Sequence, residues 1–187
     1  RANRCLRNEM AGIGARHNAK PVIERNEVRE NKLAGIGFEA CENGIAVVRD
    51  NTVCENGMVA IGVQTGWKVR IINNTLSRPD GMPPVIMVFK NAEAIIAGNT
   101  IAGSGVAGVR LAGIAEIRNN IIQGRKLRPI GPPQFGVWAL PGSHLLMSGN
   151  SFKTWRHALY ASGSAVTATG NTARTFKRVA YVVEQPS

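Results

Sequence analysis

Apolar and polar positions alternate in short bursts along the whole chain, and the bursts keep step with an asparagine. One asparagine per unit gives Asn3, Asn26, Asn51, Asn74, Asn99, Asn120, Asn150 and Asn171, spaced 23, 25, 23, 25, 21, 30 and 21 residues apart, a mean of 24. Three positions before these anchors stands an apolar residue: Ile23, Val48, Ile71, Ile96, Ile117, Met147 or Ala168. Two positions after them comes Val28, Val53, Leu76, Ile101, Ile122 or Phe152, with Cys5 and Ala173 at the two ends. A second apolar burst follows, as in "GIGA" at 12–15, "GIGF" at 35–38, "AIGV" at 60–63, "GVWA" at 136–139 and "ALYA" at 158–161.

Alternation over three to five residues, rich in β-branched side chains, predicts strands rather than helices. Turn formers such as "ENG" at 42–44, "TGW" at 65–67 and "PGS" at 141–143 separate them. Each unit therefore predicts about three short strands and three turns. A unit this small cannot bury a core alone, so successive units must stack. In-register stacking sets each strand about 4.8 Å from its predecessor in a parallel sheet. The expected fold is all-β, one parallel β-helix domain over residues 1–187 with about seven to eight rungs. The anchor asparagines then predict a ladder, each side chain bonding backbone groups and the next asparagine. Asparagine also tolerates the left-handed backbone that a sharp corner needs. Asn8, Asn31 and Asn56 predict a second, shorter ladder that stops at Pro79.

The cadence in "NEVRENKLAGIGF" (26–38) and "NTVCENGMVAIGV" (51–63) resembles the right-handed parallel β-helix repeat of the pectate-lyase-like superfamily. Its repeat-rich carbohydrate-binding and sugar-hydrolase-type members are the nearest in feel, and the resemblance covers nearly the whole chain. It implies a right-handed coil, work on sugars and an extracytoplasmic location, periplasmic or secreted. It leaves the individual function open, because one fold hosts many.

Charge narrows the partners. Lys and Arg number 23 against 12 Asp and Glu, a net charge of +11. Such a surplus favours polyanions: an acidic polysaccharide first, nucleic acid second. No run of about 18 apolar residues occurs, so no membrane span is expected. Cys5, Cys41 and Cys54 form no CxxC pair, and neither a metal site nor a cofactor is expected. The opening "RANRCLRNEM" already lies mid-repeat, which suggests a segment of a longer or processed chain. Open strand edges at the coil ends would invite self-association.

Departures from a repeat mark its loops. "SRPDGMPP" (77–84) and "GRKLRPIGPPQ" (124–134) replace the same turn two rungs apart, while "AGSGVAG" (102–108) passes it with small residues. Two walls about 10 Å apart over a small-residue floor would form a groove. At that corner the next unit carries "KTWRHA" (153–158). On the following strand the outward position holds Gly14, Gly37 and Gly62, then Met87, Arg110, Trp138 and Tyr160. Aromatic faces suit the apolar faces of sugars, and arginine suits carboxylates. The candidate substrate-binding residues are Arg78, Asp80, Arg110, Arg125, Lys126, Arg128, Trp138, Trp155 and Arg156. Basic residues with exposed aromatics would also suit a single-stranded nucleic acid.

The case for chemistry is thinner. Glycoside hydrolysis needs two facing carboxylates, and the chain holds two aspartates, Asp50 and Asp80, and ten scattered glutamates. The adjacent aspartates and Gly-His-Gly of polygalacturonases, the acidic calcium ligands of pectate lyases and the Asp-Pro-His-Asp of uronan epimerases have no counterpart. What is left is a metal-free β-elimination, as in a polysaccharide lyase, with Tyr160 or Lys153 as base, His157 as acid–base partner and an arginine neutralising the uronate. The competing reading is a non-catalytic structural or adhesive scaffold.

Overall fold

The computed structural model describes residues 1–79, 81–125, 131, 133–174 and 179–185. The chain winds through three parallel sheets of eight, eight and seven strands, each sheet taking every third strand. The first runs from Arg4–Leu6 to Thr172–Arg174, the second from Ile13–Ala15 to Tyr181–Glu184, and the third from Val22–Glu24 to Ala165–Thr169. The result is an all-β solenoid of about seven turns with three strands per rung.

Register carries the repeat into the core. On the first sheet Val28, Val53, Leu76, Ile101, Ile122 and Phe152 stack one above another. On the second, Ile36, Ile61, Ile86, Val109, Val137 and Leu159 do the same. On the third, Val48, Ile71, Ile96, Ile117 and Met147 complete the triangle. All are buried. Removing these apolar surfaces from water is the main term favouring the coil.

The anchor asparagines form an unbroken ladder from Asn3 to Asn171. Each donates its backbone N–H and its Nδ2 to Oδ1 of the next anchor at 2.8–3.0 Å. Nδ2 also serves carbonyls of the corner, as Asn74 does for Val48 and Ile72. The left-handed residue, however, is the one before the anchor. Ala2, Arg25, Asp50, Asn73 and Asn119 have φ of 52 to 57°, and Gly98, Gly149 and Gly170 take the same place with φ of 60 to 66°. The sharp bend is made one residue early, so the anchor side chain can enter the corner and bond along the axis. Asparagine's tolerance of this region is therefore used at Asn73 and Asn119, not at the anchors.

The second ladder joins Asn8, Asn31 and Asn56. Beyond it the buried Arg78 guanidinium donates from Nη2 to the carbonyl of Gly57 and from Nη1 to that of Pro83.

The N-terminal rungs hold one buried carboxylate. Glu24 is 1% exposed and meets Arg1 at 2.6 Å, Arg25 at 3.2 Å and Arg49 at 2.5 Å. Hydrogen bonds from Arg49 and then Arg25 hold its carboxyl below the ordinary carboxylate range, against the cost of desolvation. A lowered folded-state pKa contributes stability above the unfolded value, and that contribution is lost as pH falls through the folded one. The urea midpoint should therefore drop as pH is lowered past the ordinary value of 4.5. Glu24→Gln should flatten that part of the profile, and an unchanged profile would refute the assignment.

Candidate binding face on the second sheet

Strand register builds the candidate face. Met87 pairs with Arg110, Arg110 with Trp138, and Trp138 with Tyr160, so the last three stand in one outward column. The Arg110 guanidinium lies 4.8 Å from the centroid of the Trp138 ring, a cation–π contact. Arg110 Nε is buried without a hydrogen-bond partner among the described residues.

A second outward column sits beside the first. Phe135 and His157 are paired across Phe135–Ala139 and His157–Ser162. The Phe135 ring is 5.4 Å from Trp138, 5.0 Å from Tyr160 and 5.8 Å from His157. Strict alternation would turn Phe135 inward with Val137. The strand bends instead: a Cβ on Gly136 would point at the Phe152 ring in the core. Gly136 and Val137 are thus both buried, and Phe135 and Trp138 face out at a spacing of three. His157 and Tyr160 repeat that spacing around buried Ala158 and Leu159. The glycine before Val137 is the signal that could have placed Phe135 on this face.

Hydrogen bonds fix two of the titratable groups. Tyr160 donates its hydroxyl to Glu184 Oε2 at 2.7 Å, which pushes its pKa up. His157 Nδ1 lies 2.7 Å from the Val179 carbonyl, which can only accept, so Nδ1 is the donor of this bond. Lys153 stands on the first sheet, exposed, next to Arg174 in register. Of the three groups considered for catalysis, His157 and Tyr160 share one sheet with ring centroids 6.3 Å apart, and Lys153 stands on another.

Other candidates occupy different places. Trp155 is fully buried. It follows the left-handed Thr154, as Asn56 follows Glu55. Its Nε1 donates to the Ile122 carbonyl at 3.2 Å, as Asn56 Nδ2 does to that of Val28. Trp155 thus takes the second-ladder position of its rung and presents no surface to a ligand. Arg78 is likewise interior, 3% exposed, and burial lowers its pKa. Arg125 is exposed at the corner, and Arg156 donates from Nε to the Gly131 carbonyl at 2.9 Å. Asp80, Lys126 and Arg128 lie outside the described residues, as does most of the segment expected to form the second wall of a groove. The first loop packs directly on the floor rung, with Val106 N–H donating to the Met82 carbonyl at 3.0 Å.

Charge is unevenly divided along the solenoid. Residues 94–183 carry ten Lys and Arg against one acidic residue, Glu116, a surplus of nine out of the chain's eleven. The described cations Arg125, Lys153, Arg156 and Arg174 flank the corner leading into the aromatic face. Among the described residues no cluster of His, Cys, Asp or Glu could hold a metal ion, and no helix is long and apolar enough to cross a membrane.

A family model described as the right-handed beta helix region matches residues 1–76 and, overlapping them, 59–185. No curated protein and no solved structure matches the chain.

Proposed function

The chain belongs to the right-handed β-helix family, and we propose that its second sheet is a binding face for an acidic polysaccharide. The observation that carries this is Arg110 stacked on Trp138 within a cluster that also holds Phe135 and Tyr160. A uronate unit offers both matching surfaces, an apolar ring face for the indole and a carboxylate for arginine. The cations at the adjacent corner add attraction that salt weakens. Binding is favoured over elimination because Tyr160 is held as a donor with a raised pKa, the reverse of what a base needs. The extracytoplasmic site of action rests on the resemblance to the pectate-lyase-like superfamily, whose members usually work outside the cytoplasm.

Tryptophan fluorescence gives a direct test. Of the three tryptophans, Trp67 and Trp155 are fully buried and Trp138 is half-exposed. Added polygalacturonate should therefore alter Trp138 emission and protect it from iodide, whereas a neutral glucan should do neither. Trp138→Ala should weaken binding about tenfold, roughly the 1.4 kcal/mol of one good aromatic contact. Equal affinity of wild type and Trp138→Ala would overturn the proposal. Retention that vanishes at moderate salt and is the same for heparin and polyuronate would reduce it to unspecific charge.

A further inference from the structure

The outer face of the third sheet is a different surface. Four of the most exposed aliphatic side chains project from it: Val22, Ile45, Ile114 and Leu146, at 49, 48, 51 and 55% exposure. Strand register sorts this face into columns. Ile45, Lys68, Glu93, Ile114 and His144 follow one another up one column. Val22, Val47, Arg70, Ile95, Glu116 and Leu146 follow up the next. Ile45, Arg70, Ile95 and Ile114 line a shallow open depression here. Apolar side chains thus flank a central charged band, in which Lys68 pairs with Glu93 at 3.0 Å.

We propose that a second copy of this chain covers this face, the two solenoids packed back to back and antiparallel. The twofold axis lies along the strands, midway between Trp67–Ile72 and Glu93–Ala97, the third and fourth rungs of this sheet. Such an axis exchanges third with fourth rung, second with fifth and first with sixth, and keeps every residue in its column. Ile45 then faces Ile114 of the other copy, Val22 faces Leu146, and Lys68 faces Glu93, each contact occurring twice. Arg70 comes beside Glu116 of the other copy, one rung off direct opposition.

Neighbouring arrangements fail on charge. An axis through the fourth rung sets Glu93 against Glu93, and one through the third sets Lys68 against Lys68. An axis along the solenoid opposes Lys68 and Arg70. In the favoured register the like pair Arg49 and Arg118 lies at the rim, each already held by its own glutamate, Glu24 and Glu116. Six strands span about 24 Å and five residues about 16 Å, giving a footprint near 400 Å² per copy. That is small for a stable complex, so the dimer is weak and reversible.

Sedimentation velocity on the chain without polysaccharide, from about 10 to about 500 µM, tests this. The dimer fraction should rise with concentration. Leu146→Asp and Lys68→Glu should each abolish it, and adding Glu93→Lys to Lys68→Glu should restore it. These positions are exposed, so circular dichroism and the urea midpoint should hardly change. A chain monomeric throughout, or a dimer indifferent to Leu146→Asp and to the charge exchange, overturns the proposal.

Discussion

Asn99→Ala will destabilise the solenoid by about 3–6 kcal/mol, a large fraction of the roughly 5–15 kcal/mol that holds a domain of this kind together. Asn99 sits mid-ladder and is 1% exposed. Its Oδ1 accepts from both the N–H and Nδ2 of Asn74, and its Nδ2 donates to Asn120 Oδ1 and to the carbonyls of Ile71 and Ala97. Alanine keeps only the two backbone bonds, from its own N–H to Asn120 Oδ1 and from the Ile121 N–H to its carbonyl. The Asn74 backbone N–H is left without an acceptor in a place water cannot reach, while Asn74 Nδ2 keeps the Val48 and Ile72 carbonyls. The Ile71 and Ala97 carbonyls and Asn120 Oδ1 each lose a donor, and each buried group left unpaired costs about 1–3 kcal/mol. The urea midpoint should fall by about 2 M for a slope near 2 kcal/mol/M. Asn171→Ala is the control: that residue is half-buried at the end of the ladder, and water can replace much of what is lost. Equal effects at the two positions would show that the ladder is not cooperative bonding of buried groups.

The fold was legible because a solenoid writes its geometry into sequence as a period. An inward column must stay apolar on every rung, and a corner ladder must repeat its asparagine, so both stand out at 21–30-residue spacing. The outward column of Arg110, Trp138 and Tyr160 followed from the same register. What the period could not give was any place where the backbone departs from alternation. Phe135 faces outward because the strand bends at Gly136, and a strict two-residue alternation assigns it to the core. The left-handed corner was shifted by one residue for a related reason. Asparagine suits both the bend and the anchor, as in Asn73–Asn74 and Asn119–Asn120, so sequence does not separate the two roles in adjacent residues. Trp155 shows the limit most clearly. Next to Lys153, Arg156 and His157 its aromatic ring resembles part of a ligand site. Its burial, the left-handed Thr154 before it and the bond from its indole to Ile122 reveal that it replaces a ladder asparagine.

Trp138 and Trp155 should therefore separate binding from folding. Trp155→Ala will cost about 3–5 kcal/mol, the usual range for deleting a large buried aromatic. Its ring lies against the positions of Gly103 and Gly108, where an added Cβ would come within 4.0 and 3.4 Å of it. Neither glycine has a side chain that could fill the space Trp155→Ala leaves. The Ile122 carbonyl loses its donor as well. Trp155→Phe, which keeps most of the volume but not the N–H, should recover most of the stability. Trp138→Ala removes a half-exposed ring from the outer face and should leave the denaturation midpoint nearly unchanged while polyuronate affinity falls. Denaturation followed by far-ultraviolet circular dichroism, beside binding at a temperature where every variant is folded, measures both effects. If Trp155→Ala instead weakened binding at full stability, the ring would have to reach the surface, and its assignment to the second ladder would fail.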